Sequence, residues 1–269
     1  MGAHHARTIA AHPGSQLVAC IDVVAGRAES IAMCHGALVV RAVPDDIDIV
    51  VVATPTTTHV HVAMPLLERG LAVLVEKPLA ATGEEARAIT ALPGLLVGHI
   101  ERFNPAVRAL GDERFSRWTA WRINPPSDRC QDVDAISDLM VHDIDLALQW
   151  GGEVRDVQAE AMLVEGGRVE AAVARLVMAD GEATLLVSRR GRAVVRRVLA
   201  PNAALDLARG ECVVDGRVIA PPDDRDALTA QWDAVLAAMK SPTAGLDPLG
   251  GLRAVDIADR IRDQCLGCS

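Results

Sequence analysis

The sequence predicts an α/β protein in two parts: an N-terminal domain with a parallel sheet over residues 1–101, and a C-terminal α+β domain with a large, mainly antiparallel sheet over residues 102–269. Three observations predict this fold class. The first hundred residues alternate continuous apolar runs with helix-like segments, which is typical of buried parallel strands. From residue 154 onward, β-runs alternate with Gly-containing turns, which is typical of antiparallel strands. The length of 269 residues can supply each part with its own core.

Four strands and two helices are predicted in the N-terminal part. Apolar runs without alternating polar residues predict buried strands at 17–21, 47–53, 71–75 and 95–99. Apolar residues at helical spacing predict helices between the later strands, at 59–69 and 83–92. The alternation of strand and helix predicts a parallel sheet that is covered on both faces.

The C-terminal part is predicted to be rich in strands. Its clearest β-runs, separated by turn segments such as EGGR, ADGE and DGR, lie at 118–123, 170–178, 183–188 and 193–199. One helix interrupts the strands and two helices close the chain, at 137–150, 225–240 and 248–265. We expect the closing helices to pack back on the N-terminal domain.

Composition excludes several classes of function. The net charge of −9 argues against a nucleic-acid partner, because phosphate backbones need a basic surface. No apolar run is long enough to cross a bilayer and no signal-peptide pattern opens the chain, so we expect a cytoplasmic protein without a membrane partner. The chain contains no tyrosine, which excludes the Tyr-x-x-x-Lys pair of short-chain dehydrogenases. Any acid or base must be His, a carboxylate, Cys, Lys77 or Lys240.

No metal site is predicted. The six cysteines are scattered through a chain too large to depend on cross-links, so we expect reduced thiols. Cys265 and Cys268 form a C-x-x-C pair, but a structural zinc site needs four ligands and no second pair exists. His59 and His61 lack an evident third ligand, which favours structural or capping roles.

The opening segment MGAHHAR matches the end of a dinucleotide-binding glycine motif. In such a βαβ unit a strand enters G-x-G-x-x-G, and an acid about twenty residues later binds the ribose. Gly2 and Asp22 fit the last glycine and that acid. The strand that would precede them lies at the centre of such a sheet, so its loss would leave two interior edges unpaired. We expect the natural start to lie upstream; the alternative is a shortened, cofactor-free protein.

Two further segments follow predicted buried strands. Lys77 lies in VEKP at the end of the third strand, where open α/β sheets place ligands, although a solvated loop lysine is an equal alternative. The segment ATPTTTH, which contains Thr54 and Pro55, enters a helix and could meet a cofactor. Arg102 and Asn104 in ERFNP follow the fourth strand and could hydrogen-bond substrate.

Polar side chains line one face of the helix near residue 140. Asp134, Asp138, His142 and Asp145 have helical spacing, opposite an apolar face. A carboxylate one turn from a histidine can fix its tautomer and raise its basicity. From the pattern alone, an exposed acidic stripe with an incidental histidine is the favoured alternative.

Together the motifs MGAHHAR, ATPTTTH, VEKPLA, GHIERFNP and D-x-x-x-H-D resemble the Gfo/Idh/MocA family of NAD(P)-dependent oxidoreductases over nearly the whole chain. The resemblance implies an N-terminal Rossmann-like domain, here without its first strand. It also implies a C-terminal domain with an open sheet that makes a homodimer or homotetramer. The connection between Val39 and Ile47 is shorter than in relatives.

The resemblance implies the roles of individual residues. Lys77, His142 and Asp138 match the catalytic positions, and the substrate would meet Arg102, Asn104, Asp138 and His142. The positions that would hold the cofactor are Gly2, Asp22, Thr54, Pro55, His59, Glu76 and Lys77. Because Asp22 is followed by Val23, a 2′-phosphate would meet a carboxylate, which favours NAD over NADP.

The implied activity is hydride transfer between a sugar hydroxyl carbon and nicotinamide. GHIERFNPAV and DLMVHDIDL resemble the branch that oxidises the 3-hydroxyl of UDP-N-acetylglucosamine. Free sugars, inositols, sugar acids and a cofactor-free binding protein remain alternatives. Five arginines could help to bind a diphosphate, although a solvated strand face is the favoured explanation: Arg189, Arg190, Arg192, Arg196 and Arg197.

Overall fold

The computed structural model describes residues 1–127, 130–241 and 246–268. It contains parallel strands in the N-terminal part and an eight-stranded, mainly antiparallel sheet in the C-terminal part. The predicted fold class is therefore confirmed.

Eight α-helices lie within the described residues. They are α1 (Gly2–Ala11), α2 (Ala25–His35), α3 (His59–Glu68), α4 (Gly83–Thr90), α5 (Pro105–Leu110), α6 (Val141–Gly151), α7 (Ala227–Ala238) and α8 (Pro248–Leu266). The strands of the N-terminal part are β1 (Ala19–Cys20), β2 (Leu38–Val39), β3 (Ile49–Val52), β4 (Ala72–Glu76) and β5 (Leu95–Gly98). The C-terminal strands are β6 (Arg117–Ile123), β7 (Val154–Glu165), β8 (Arg168–Met178), β9 (Gly181–Ser188), β10 (Val195–Ala200), β11 (Ala203–Asp206), β12 (Glu211–Val214) and β13 (Arg217–Ile219).

The parallel strands form two separate ladders. β1 pairs with β2, and β3, β4 and β5 form a second ladder in that order. No ladder joins the two within the described residues. This break agrees with the expectation that the strand between them is absent. Leu38 of β2, in the shorter ladder, is 61% exposed.

The C-terminal sheet is continuous, in the order β13-β12-β11-β10-β6-β9-β8-β7. β6 pairs in parallel with β9 and antiparallel with β10. Its buried residues alternate, so Trp118, Ala120 and Arg122 share the face that turns toward the core. Ile144 of α6 and Ile261 of α8 belong to the same apolar cluster, so these helices pack on that inner face.

The closing helices join the two parts of the chain. Trp232 and Val235 of α7 pack with Ile9 of α1 and Leu74 of β4, and the Trp232 Nε1 donates to Ser15 Oγ at 2.9 Å. α8 contacts α4 as well as β7. The packing of both helices on the N-terminal part agrees with the sequence expectation, whereas the division of the chain at residue 101 stays a prediction.

Candidate active site

The site lies at the carboxyl edge of the parallel strands. Because β3, β4 and β5 run in parallel and in register, the residues that follow them meet at one edge of the ladder. Thr54 follows β3, Lys77 follows β4 and His99 follows β5. Thr54 and Pro55 are exposed there, which suits a role beside a cofactor.

His59 joins two of the loops at this edge. It is 1% exposed, and its Nδ1 and Nε2 lie 2.9 Å and 3.0 Å from the carbonyl oxygens of Pro78 and Thr54. Burial lowers the pKa of His59, although both hydrogen bonds oppose that shift. Both ring nitrogens of His59 face backbone carbonyls and no edge of the ring is open, so His59 positions the two loops. Its predicted contact with the cofactor does not fit this burial.

Glu76 is held by a residue that the sequence interpretation missed. The Nε2 of His5, in the first turn of α1, lies 2.5 Å from Glu76 Oε1. Burial alone would raise the pKa of Glu76, but the hydrogen bond and charge of His5 outweigh it and hold the pKa below its usual value. Glu76 Oε2 also accepts from the Lys77 backbone N–H at 3.2 Å. The carboxylate therefore fixes the Lys77 backbone from inside the protein.

Lys77 reaches across to the helix that carries the predicted acid. Its Nζ donates to the Asp138 carbonyl oxygen at 2.6 Å and to Asp138 Oδ1 at 3.3 Å. Asp138 lies in a π-helical turn, Ile136–Met140, that precedes α6 where one regular helix was predicted. Such turns are rare and often occur at functional sites. The structure thus brings Lys77 and Asp138 together from residues 61 apart in the sequence.

His142 lies in the first turn of α6 and is 9% exposed. Burial, followed by the positive charges of Lys77 and Arg122, lowers its pKa well below 6.5. The imidazole is therefore neutral at pH 7 and can accept a proton. Its Nδ1 has no hydrogen-bond partner among the described residues.

The alternative of an exposed acidic stripe on this helix is wrong. Asp134 and Asp145 are both buried. Asp134 accepts from Arg262 Nε at 2.6 Å, and Asp145 accepts two hydrogen bonds from Arg102. These carboxylates fix the helix in the core because each is bound by an arginine from another segment.

A second missed group anchors the turn that carries His142. Arg122 is 1% exposed. Its Nε and Nη2 donate to the two oxygens of Asp143 at 3.0 and 2.8 Å, and its Nη1 donates to Glu101 Oε1 at 2.7 Å. Burial raises the pKa of Asp143 despite the guanidinium. Arg122 occupies an inward position of β6 beside Trp118 and Ala120. The sequence signal for its burial was that a charged residue stands at a position where the alternation of the strand calls for an apolar one.

Two residues predicted to bind substrate have other partners. Arg102 donates through Nε and Nη2 to Asp145 at 2.8 and 2.5 Å. Asn104 Oδ1 accepts from the Ala106 N–H at 3.0 Å, which caps α5, and its Nδ2 donates to Glu101 and Leu207. The polar atoms of the Asn104 side chain serve the fold. The prediction that Asn104 binds substrate therefore does not fit its geometry, and the same role for Arg102 stays a prediction.

The remaining predicted residues fit a dinucleotide. The contact of His5 with Glu76 brings the first turn of α1 to the end of β4, and a helix N-terminus attracts phosphate. Gly2 is exposed, and no atom lies within 4 Å of where a Cβ would stand. Asp22 is exposed after β1, and its Oδ1 accepts from the Val24 N–H at 2.8 Å.

Other kinds of site are not found in the described chain. Residues 1–127, 130–241 and 246–268 contain no group of three or more His, Cys, Asp or Glu side chains that could hold a metal ion. The same residues contain no helix with the length and hydropathy of a membrane span.

Known proteins resemble this chain in sequence and fold. The UDP-N-acetylglucosamine 3-dehydrogenase of Acidithiobacillus ferrooxidans is 35% identical over 211 residues, 74% of this chain and 67% of that protein. A solved structure of that enzyme superimposes with a TM-score of 0.89 at 30% identity, over 99% of this chain and 95% of the other. An inositol 2-dehydrogenase of Rhizobium meliloti is 32% identical over 167 residues, 55% of this chain and 51% of that protein.

The same relationship follows from the family model. The model for the Gfo/Idh/MocA oxidoreductases, which describes an NAD-binding Rossmann fold, matches residues 1–93. The A. ferrooxidans relative extends the similarity well beyond those residues. The chain belongs to the Gfo/Idh/MocA family of oxidoreductases.

Proposed function

We propose that this chain is an NAD-dependent dehydrogenase that oxidises a hydroxyl carbon of a nucleotide sugar, with the 3-hydroxyl of UDP-N-acetylglucosamine as the first candidate. The observation that carries the proposal is the contact of Lys77 Nζ with Asp138, one helical turn before a buried His142 whose pKa is lowered. The A. ferrooxidans relative supports the choice of substrate.

In the proposed mechanism, NAD supplies the acceptor for the hydride that leaves the substrate carbon. His142 accepts the hydroxyl proton, because its imidazole is neutral at pH 7. The Lys77 ammonium stabilises the charge that develops on the same oxygen. Asp138 holds that ammonium through its carbonyl and carboxylate, so its role is to orient Lys77.

In this proposal, the cofactor contacts exposed residues near the carboxyl edge of the parallel strands. Gly2 and the N-terminus of α1 would receive the diphosphate, and Asp22 would hydrogen-bond the adenosine ribose. Thr54, Pro55 and Lys77 would line the nicotinamide end. Asp22 would meet a 2′-phosphate with like charge, which favours NAD over NADP.

We also infer that two or four copies associate through the open face of the C-terminal sheet. Outward positions of its strands carry apolar side chains that are half-buried or exposed in one copy, among them Trp121, Leu186 and Leu199. A second copy would cover them. Light scattering after gel filtration measures the oligomeric state, and a monomer would contradict the inference. A cytoplasmic location stays a prediction.

The second candidate substrate class is a neutral polyol. Inositol 2-dehydrogenases are among the relatives, and the contact of Lys77 with Asp138 would serve any secondary hydroxyl equally well. A panel of UDP-sugars, free sugars, inositols and sugar acids, assayed by NAD reduction at 340 nm, separates the two. The proposal expects turnover with UDP-N-acetylglucosamine, and a preference for inositols would contradict it.

Titration with NADH, followed by nicotinamide fluorescence, tests the cofactor separately. Saturable binding is expected because the contact of His5 with Glu76 brings α1 to the edge that carries Lys77. A chain that neither binds NADH nor turns over any member of the panel would favour the cofactor-free binding protein.

A further inference from the structure

An arginine whose side chain has no partner among the described residues lies beside the candidate active site. Arg196 of β10 stands opposite Arg122 of β6 in the antiparallel ladder. Residues that stand opposite each other project to the same face of a sheet. Arg122 is buried on the inner face with Asp143 of α6. Arg196 therefore points to the side of the sheet that carries His142, and Arg197 points to the other face.

Three of the neighbouring arginines are bound by acids and Arg196 is not. Arg189 donates to Glu170 at 2.7 Å, Arg190 contacts Glu165, and Arg197 lies 3.5 Å from Asp206. Within the described residues, the Arg196 side chain takes part in no ion pair and no hydrogen bond, and its Nε is buried without a partner. A half-buried guanidinium without a partner is costly, which points to a ligand that supplies one.

The surroundings of Arg196 contain two more polar groups without partners. Asn124 is two residues beyond Arg122, so alternation puts it on the same face, and its Oδ1 is buried without a partner in the described chain. His142 Nδ1 is also without one. The positive charge of Arg196 contributes to the low pKa of His142, so the two side chains lie near each other.

The charge of Arg196 selects the chemistry of the ligand. The nearby carboxylates of Asp143 and Glu101 are already bound by Arg122. A neutral polyol would leave the guanidinium uncompensated. A phosphate offers paired oxygens that match a guanidinium and a full negative charge.

We propose that Arg196 binds the diphosphate of the nucleotide-sugar substrate and so determines specificity for phosphorylated over neutral sugars. This inference rests on the proposed function. The inner face of β10 thereby supplies the affinity for the nucleotide, while Lys77 and His142 act on the sugar.

The test compares Arg196→Ala with Arg197→Ala, which removes the same charge from the opposite face of the same strand. For Arg196→Ala, the KM for UDP-N-acetylglucosamine should rise about ten- to hundred-fold, the range of a charge-assisted hydrogen bond. The value of kcat should change much less, and kcat/KM for myo-inositol should not fall. Arg197→Ala should leave both values unchanged. Arg196→Gln, which keeps most of the volume, repeats the measurement if the alanine variant does not fold.

Calorimetric titration with UDP separates this inference from the proposed function. The dissociation constant of UDP should rise by a similar factor in Arg196→Ala but not in Arg197→Ala. If wild type oxidises UDP-N-acetylglucosamine and Arg196→Ala keeps its KM within two-fold, Arg196 has no such role and the function stands. If wild type oxidises only neutral polyols, the proposed substrate is wrong. UDP binding that depends on Arg196 would still support the subsite, and equal binding by wild type and variant would overturn it.

Discussion

Two regions of the molecule meet at the carboxyl edge of the parallel strands, and they are built in opposite ways. Around His142, Arg122 and Asp143 are buried and bound to each other. On the cofactor side, Gly2 and Asp22 are exposed, and the parallel strands form two separate ladders. The substrate side is thus organised by contacts within the chain, whereas the cofactor side consists of surface groups around an edge. Substitutions on the first side should cost stability or turnover, and substitutions on the second should cost only binding.

The largest expected effect is the loss of turnover on the substrate side. His142→Ala removes the proposed base and Lys77→Ala removes the proposed oxyanion contact, and each should lower kcat about 10²- to 10⁴-fold. NADH binding should persist in His142→Ala, because this residue belongs to the first region. The rate of NADH formation and NADH fluorescence measure the two effects.

The chain offers matched controls for both substitutions. Lys240 is the other lysine and is exposed at the end of α7, and His61 is exposed on α3. Lys240→Ala and His61→Ala should keep normal rates. Near-normal turnover in both His142→Ala and Lys77→Ala would reject the assignment of the catalytic residues.

The next effect is on stability. Arg122→Met leaves the carboxylates of Asp143 and Glu101 buried without their shared cation, so the free energy of unfolding should fall by about 3–5 kcal/mol. Arg190→Met breaks the exposed pair with Glu165 and should cost less than about 1 kcal/mol. Urea unfolding at pH 7 measures both. Equal losses would show that burial does not distinguish the two ion pairs.

The sequence predicted the elements better than the partnerships between them. Apolar runs located β4, β5 and β9 to within a few residues, because strand periodicity is a local property. The strand pattern could not show that His5 binds Glu76 or that Arg122 joins Asp143 and Glu101, since these contacts join segments far apart in the chain. These buried contacts decide which charged residues act in the site.

Some of the missed roles had local signals. Asn104 precedes Pro105, and an Asn followed by Pro is the pattern of an N-cap with proline at the first helical position, which the structure bears out. The position of Asn104 after a predicted strand favoured a substrate contact instead. By contrast, the apolar residues around Asp138 have the spacing of a regular helix. The π-helical turn at Asp138 could therefore not be predicted from that spacing.

The next expected effect, on the affinity for NADH, belongs to the cofactor side. Asp22→Asn keeps an oxygen that can accept from the Val24 N–H but removes the charge that would bind the ribose hydroxyls. The dissociation constant for NADH should rise about ten-fold, and the discrimination against NADPH should weaken. The free energy of unfolding should change by less than about 0.5 kcal/mol, because Asp22 is exposed. A loss of stability like that of Arg122→Met would contradict the contrast between the two regions.

The smallest effect is a displaced pH profile. Burial lowers the pKa of His142 well below 6.5, and the charges of Lys77, Arg122 and Arg196 lower it further. The base is therefore deprotonated above that lowered pKa, and kcat/KM should stay nearly constant as the pH falls from 8 to 6.5 and decline only below it. Arg196→Ala removes one of the charges, so its acid limb should move up toward 6.5. An acid limb at or above 6.5 in wild type would mean that His142 is solvated during turnover, which would contradict its burial in the structure.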